Sequence, residues 1–465
     1  MMTITHKHVK QWLFLLPFFL YEDLILSVGM FVIGYLIIEY EKIDVALSKL
    51  EWREYLFFIY MFHMLFGERE FAYVGFEPLF VTEIVIFGLV VSYARELLQI
   101  RKVLLVYYLI VLAGLGFAVV YFSDNQIDAI RDSFMLVYAI WVPIVYYIFK
   151  NENHYDLFFL FLKLFIVLKG AQYVYEAVMI LTGMKIISFE GFRFGVGFIL
   201  PSLIVLTIFL PLRQVDVKYK IAALVMVPAV FTMFHRSVFL GIILGLLLIF
   251  VIGSNFTRKK IVTYGLLSLV LLIGFLFYYN TVVDVDIFRI LELKTSLEEG
   301  NINYRFVSWQ HVMDKFYEHF LLGYGVGQPV MFSQNNIFYN TVELTYFQIR
   351  DLDGNAQPHN SYLNILARFG ILIFPFFLYA VLQPLKKIPE YMRIKKRGGS
   401  HAYSKFLLLI GFLILMYVLA FFNVVLEGPH HAFPFWLAIG MLLGYGRAGN
   451  FSEKFVQIKQ VSSVS

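Results

Sequence analysis

Long apolar stretches separated by short polar connections run from one end of the chain to the other. A helix needs roughly 20 apolar residues to cross the hydrocarbon layer of a membrane. Stretches of that kind predict spans near 12–38, 53–67, 73–94, 103–122, 130–149, 156–183, 194–212, 219–234, 236–253, 260–279, 360–385, 405–426 and 430–446. Glu22 and Asp23 interrupt the first, which reads as one span or as a hairpin of two short helices. The pattern therefore predicts an all-α polytopic membrane protein of about 12–14 transmembrane helices and leaves the side of the N-terminus open. No cleavable signal peptide is expected, because the first apolar stretch runs straight into the second. No internal repeat or low-complexity linker divides the chain. It reads as N-terminal transmembrane helices over 1–279, one large loop over 280–359, C-terminal helices over 360–446 and a basic tail over 447–465.

The connections give these spans an orientation. Arg95, Arg101 and Lys102, then Arg213, Lys218 and Lys220, then Arg258, Lys259 and Lys260, and finally Lys386, Lys387, Arg393, Lys395, Lys396 and Arg397 fall on one side, which the positive-inside rule makes cytoplasmic. The short loops 123–129 and 427–431 carry no Lys or Arg and fall on the other side, as does the loop 280–359. The reading is thus of a multi-pass membrane protein with its large loop on the outer face. Within that loop Phe306, Trp309, Met313, Phe316 and Phe320 recur at helical spacing, with Asp314, Lys315 and Glu318 between them. This predicts an amphipathic helix, either lying on the membrane surface or packing onto its own loop.

Composition agrees. The chain is 60% hydrophobic and only 15% charged, against ~25% charged in soluble domains, and its mean hydropathy is +0.74. The formal charge of +5 follows from the cytoplasmic loops and does not call for nucleic acid. Without Cys there is no disulfide framework, no thiolate metal site and no Cys nucleophile.

Ionisable residues at a membrane boundary are costly unless paired or hydrated, which makes them functional candidates. Arg193, Arg236, Arg305 and His359 all fall at the outer boundary, where the positive-inside rule does not expect cations. Converging guanidinium groups suit a phosphate or pyrophosphate; snorkelling or structural ion pairs are the alternative. His359 follows Pro358 at a predicted helix start, where the helix dipole disfavours imidazolium. A neutral His can serve as a general base, although a His at a helix start can equally be structural. Gly323, Gly325 and Gly327 read as a flexible turn, since no βαβ context supports a nucleotide loop. Asp284 with Asp286, and Asp351 with Asp353, resemble a metal-holding Asp-x-Asp, but outer-face placement argues against it. His430 and His431 point in different directions for a zinc site. Lys169 and Glu176 share a face of the sixth span, and with Lys163 they form either a structural pair or an ion pathway.

Three segments carry a resemblance. Pro-His-Asn-Ser-Tyr-Leu-Asn-Ile-Leu-Ala-Arg-Phe-Gly at 358–370, Tyr-Arg-Phe-Val-Ser-Trp at 304–309 and Leu-Leu-Gly-Tyr-Gly-Val-Gly at 321–327 resemble the O-antigen ligase and polymerase superfamily. Arg193 before a Gly-rich span, and His235-Arg236-Ser237 leading into an apolar helix, extend the resemblance over about 190–446. Ile373 stands where the ligase pattern usually has a small or polar residue, which leans the reading towards polymerase.

The resemblance implies an inverting, metal-independent, C-type membrane glycosyltransferase without a cofactor, a multi-pass protein of the bacterial inner (plasma) membrane with its active site on the outer, periplasmic side. Its donor would be an undecaprenyl-pyrophosphate-linked oligosaccharide and its acceptor a glycan or lipid hydroxyl, with a chain-length regulator or a flippase as companions. On that reading Arg193, Arg236 and Arg305 hold pyrophosphate, His359 is the base, and Trp309, Tyr324 and Asn360 contact glycan. The expected activity is a surface-polysaccharide polymerase; the alternatives are a ligase that attaches polymer to lipid A core or protein, and, from another class, a lipid-linked-sugar flippase.

Overall fold

The computed structural model describes residues 40–67, 69–76, 79–121, 126–181, 199–212, 215–224, 226–232, 235–282, 300–327, 358–396 and 400–462. Among them the chain is helical apart from one two-stranded hairpin. The longer elements are α1 (Trp52–Gly67), β1 (Gly75–Phe76), β2 (Leu79–Phe80), α2 (Val81–Ser92), α3 (Leu105–Val120), α4 (Gln126–Val137), α5 (Trp141–Ile148) and α6 (Glu152–Leu181). They continue as α7 (Ile199–Ile208), α8 (Val217–Leu224), α9 (Met226–Thr232), α10 (Arg236–Ile252), α11 (Asn255–Val282), α12 (Gly300–Glu318), α13 (Ser361–Leu382), α14 (Ser400–Phe422) and α15 (Pro429–Ser462). The expected span 12–38 lies outside the described residues.

These helices present apolar side chains outward as well as inward. Phe87 on α2 is 72% exposed, Val119 on α3 77% and Phe277 on α11 70%, a surface that is stable against hydrocarbon rather than water. Gln126–Ile148, Glu152–Val174, Ser361–Met392 and Tyr403–Phe422 are each long and apolar enough to cross a membrane. Between lipid-embedded helices the hydrophobic effect gives no net drive, so close backbone approach has to supply the packing. Gly241 and Gly245, one turn apart on α10, provide it: a Cβ on the first would stand 2.6 Å from Leu415 Cδ1, and on the second 2.9 Å from the Gly411 carbonyl on α14. Gly440 on α15 likewise meets Val145 on α5, where a Cβ would lie 2.6 Å from Val145 Cβ. Buried hydroxyls tie distant helices to backbone carbonyls, Tyr107 to Ala380 at 2.8 Å and Tyr155 to Met441 at 2.7 Å.

Prolines explain where the apolar pattern overstates helix length. The expected span 130–149 is two helices joined by a 3-10 turn, Tyr138–Ile140. Pro143 has no N–H to give Ala139, four residues before it, and the helix loosens there. Pro228 stands in the same relation to Leu224, where α8 ends. The expected span 73–94 begins with the β1–β2 hairpin, so its helix starts only at Val81. Glu83 fastens that start by accepting from the Phe80 N–H at 2.9 Å and the Tyr138 hydroxyl at 2.6 Å. At the other end of the chain α15 stays helical through Ser462, across the segment read as a tail.

The feature that shapes the site is a break in α13. Gly370 has φ 69° and ψ 179° in the middle of the helix, nine residues or about 14 Å from its start at 1.5 Å per residue. A break at that depth frees backbone groups that lipid cannot satisfy. The segment 320–327 satisfies them: Tyr324 and Gly325 N–H donate to the Ala367 and Arg368 carbonyls at 2.9 and 3.1 Å, while Ile371 and Leu372 N–H donate to the Phe320 and Leu321 carbonyls at 3.0 and 3.2 Å. The Gly-x-Gly-x-Gly run is therefore a docked wedge rather than the flexible turn expected. Glycine is required because Gly323 sits at φ 74° and a Cβ there would fall 2.3 Å from the Arg368 carbonyl.

Candidate active site

α13 begins with Asn360 as N-cap, its side chain accepting from Leu363 N–H at 3.1 Å. Immediately before it, His359 has φ 46°, the sole positive φ outside glycine among the described residues. For a histidine this left-handed conformation costs energy and persists only where its surroundings enforce it. Trp309 on α12 enforces it from one side, donating its indole N–H to the Pro358 carbonyl at 2.7 Å. The same indole meets Phe421 and Phe422 at the end of α14, with ring centroids 5.8 and 6.5 Å away.

Burial pushes the His359 imidazole down to about 4, with the Arg305 guanidinium and His235 adding to the shift. The ring is thus neutral near pH 7, with desolvation the largest cause. Arg305 lies one turn before Trp309 on α12 and is partly exposed. His235 is the N-cap of α10, whose first residue is the exposed Arg236. Asn423 donates to Ser237 Oγ at 2.7 Å, bringing the start of α10 against the end of α14. The start of α15 adjoins them: the His430 and His431 ring centroids are 3.8 Å apart, and His431 interacts electrostatically with His235. Three helix N-termini, those of α10, α13 and α15, therefore gather with Arg236, Arg305 and a neutral imidazole at one end of the bundle. Their orphan N–H groups and dipoles favour an anion there.

One carboxylate accompanies this positive region. Glu427, in the connection between α14 and α15, accepts from the Ser361 hydroxyl at 2.6 Å and from the Asn364 amide at 3.0 Å, and burial pushes its carboxyl up from the usual range. Ser361 Oγ in turn accepts from Val425 and Leu426 N–H at 2.9 and 3.2 Å. From Asn364 the polar chain runs inward: its carbonyl oxygen accepts from Arg368 Nε at 3.0 Å, and Arg368 Nη1 lies 2.6 Å from Asp132 on α4. Asp132 also accepts from Gly327 N–H at 3.0 Å, so the buried ion pair locks the glycine wedge to α4 and α13.

The structure brings Arg236, Arg305 and His359 to one region, whereas Arg193 lies outside the described residues. The three residues expected to contact glycan are placed differently. Asn360 is 1% exposed and caps α13, so it offers nothing to a sugar. Tyr324 carries the Arg368 guanidinium 5.2 Å from its ring centroid and belongs to the wedge. Trp309 holds the Pro358 peptide, which makes it a positioning residue for His359. Asp132, Asn364, Arg368 and Glu427 are absent from the residues singled out by sequence. The available signal was a lone base at 368 inside an apolar run; Asp132 follows Arg131 in a polar stretch and carried none. The two Asp-x-Asp pairs lie outside the described residues.

The O-antigen ligase family matches the chain over residues 221–378, about a third of its length, from α8 through most of α13. No curated protein matches the chain. The matched segment holds His235, Arg236, Arg305, the glycine wedge and His359. Over that segment, set in a helical membrane architecture, the chain is similar to the O-antigen ligase family.

Proposed function

We propose that the protein transfers a glycan from an undecaprenyl-pyrophosphate-linked donor to an acceptor hydroxyl at the outer face of the membrane, as a surface-polysaccharide polymerase. The observation that carries this reading is a neutral, conformationally enforced His359 beside Arg305, at an end of the bundle where three helix N-termini meet. In the reaction the acceptor oxygen attacks the anomeric carbon while the bond from that carbon to the pyrophosphate oxygen breaks. The electron pair leaves on the pyrophosphate, stabilised by Arg236, Arg305 and the helix N-termini, and His359 takes the acceptor proton. Attack opposite the leaving group inverts the anomeric centre.

The balance of charge around His359 makes it a base only when the donor is present. At about 4 the free imidazole is a weak base, and a general base works best near the ambient pH. A bound pyrophosphate offsets the Arg305 charge that disfavours imidazolium, so donor binding raises the basicity of His359. On this reading α12, whose Trp309 holds the Pro358 peptide, limits attack by water beside His359. A ligase is the second reading, favoured by the description of the matching family. It shares the donor and differs in acceptor.

Reconstitution with a defined lipid-linked repeat tests both. A polymerase lengthens that repeat with no other acceptor, whereas a ligase requires lipid A core or protein. His359→Ala is expected to slow transfer by about 10²–10⁴-fold, and Arg305→Ala to abolish polymer, with both variants still inserted in the membrane. Full activity in His359→Ala would remove the general-base role.

A further inference from the structure

At the opposite end of α13 from His359, two cations share a pair of tyrosines. Lys150 Nζ, in the turn after α5, lies 3.8 Å from the Tyr147 ring centroid and 5.2 Å from that of Tyr146. Arg101 Cζ, just before α3, lies 5.8 and 6.0 Å from the same two centroids. We infer that Arg101 and Lys150, with Tyr146 and Tyr147 between them, form a binding site for the phosphate headgroup of an anionic membrane lipid.

Arg101 Nη1 reaches the Tyr146 hydroxyl at 3.5 Å, a neutral partner that leaves the charges of the pair uncompensated. Neither cation forms an ion pair among the described residues. Glu96, the carboxylate that acts on Lys150, is held by Arg53 at 2.7 Å. Two like charges are thus kept together on one aromatic platform, and burial with the Arg101 charge pushes Lys150 down to about 8. An anion between them relieves that repulsion. Further positive charge surrounds the pair: Lys102 is exposed, and Gln383 donates to the Val103 carbonyl at 3.0 Å, which sets the turn Gln383–Lys387 alongside.

The flanks indicate a lipid and not a free ion. Leu98 is 80% exposed and Ile100 60% exposed, immediately before Arg101. Exposed aliphatic side chains beside basic ones and tyrosines are the composition of a chain lying at headgroup depth, apolar part in the acyl boundary and charge at the phosphates. Basic pockets between helix ends hold lipid headgroups in this way.

The test is thermal unfolding of the full chain in zwitterionic micelles titrated with phosphatidylglycerol, with phosphatidylcholine and inorganic phosphate as separate arms. Phosphatidylglycerol is expected to raise the midpoint. Arg101→Gln/Lys150→Gln should need about fivefold more of that lipid for each charge removed, while the charge-matched Lys218→Gln/Lys259→Gln keeps the wild-type response. The inference is overturned if phosphatidylcholine stabilises equally, if inorganic phosphate alone does so, or if the charge-matched variant loses as much. Lys150→Gln alone, in micelles without anionic lipid, should unfold no earlier than wild type because one repelling charge is gone. An earlier midpoint would assign the lysine to the fold and overturn the site.

Discussion

Removing Asp132 is the sharpest test of how the site end of the bundle is held together. Asp132 and Arg368 are 3% and 2% exposed and 2.6 Å apart. In Asp132→Ala the guanidinium loses its paired carboxylate while its hydrogen bonds to Asn364 Oδ1 at 3.0 Å and the Gly325 carbonyl at 3.4 Å remain. An uncompensated buried charge costs about 3–5 kcal/mol, and the stranded Gly327 N–H adds about 1 kcal/mol. Arg368→Met leaves the carboxylate with the Gly327 N–H and with Arg131 at 3.8 Å, a loss of similar size. The double variant Asp132→Ala/Arg368→Met removes both charges of the pair. It forgoes only the acceptor for Gly327 and the donor to Asn364, about 2 kcal/mol in all. The two single losses therefore exceed the double loss by at least ~3 kcal/mol. Unfolding free energies of the three variants, from dodecyl sulfate titration of protein in mixed micelles, give this coupling directly. Where the single variants do not accumulate, recovery of folded protein in the double variant reports the same coupling. Losses that add in the double variant would refute the reasoning, because the ion pair would then contribute nothing as a pair.

Two further outcomes follow from the geometry. Gly323→Ala places a methyl group 2.3 Å from the Arg368 carbonyl at a positive φ; the wedge should lift from α13, with protection of the 371 and 372 amides against hydrogen exchange falling by two or more orders of magnitude, ~3 kcal/mol of local stability. Unchanged exchange would show that the wedge is not what satisfies the break. For His359 the folded value is about 4 against 6.5 for the free side chain, so the unfolded chain binds a proton that the folded chain refuses. Stability is therefore unaffected above pH 6.5, declines as pH falls from 6.5 towards 4, and levels off below that, by about 3 kcal/mol at most. His359→Gln should show a correspondingly smaller loss over that window; equal losses in variant and wild type would mean that the imidazole stays hydrated in the folded protein.

The membrane architecture was legible because spans are long, apolar and nearly uninterrupted, and among the described residues the helices follow the apolar runs apart from the departures at Pro143, Pro228, Gly370, the β1–β2 hairpin and the continuation of α15 past 446. Arg236 and Arg305 stood out in the sequence because cations at that boundary are exceptional, and His359 because it precedes a helix start. The polar chain behind them was not. Asp132 lies 195 residues from Gly327, whose N–H it accepts, and Asn364 lies 63 residues from Glu427. Nothing local in either segment announces the other. The amphipathic helix illustrates a subtler loss. Its period placed Phe306, Phe316 and Phe320 on one face, but Phe316 is buried against Ala367 while Phe306 is 63% exposed and Phe320 47% exposed. A hydrophobic stripe shows that a helix has an apolar side without distinguishing contact with protein from contact with lipid. Asn360 fails for another reason: a capping amide and a ligand-binding amide have the same sequence, and only its hydrogen-bond partner separates them.

The break at Gly370 also sets an order of assembly. The wedge at 320–327 is synthesised before α13, yet its carbonyls and amides acquire their partners only once α13 stands beside it. Until then the residues of α13 have the composition of one unbroken span. Seating the site therefore asks more than threading the helix through the bilayer: α13 has to unwind at one glycine and admit a strip of backbone delivered earlier, beside the turn that carries His359. A chain can be correctly threaded through the membrane and still be one local rearrangement short of an enzyme.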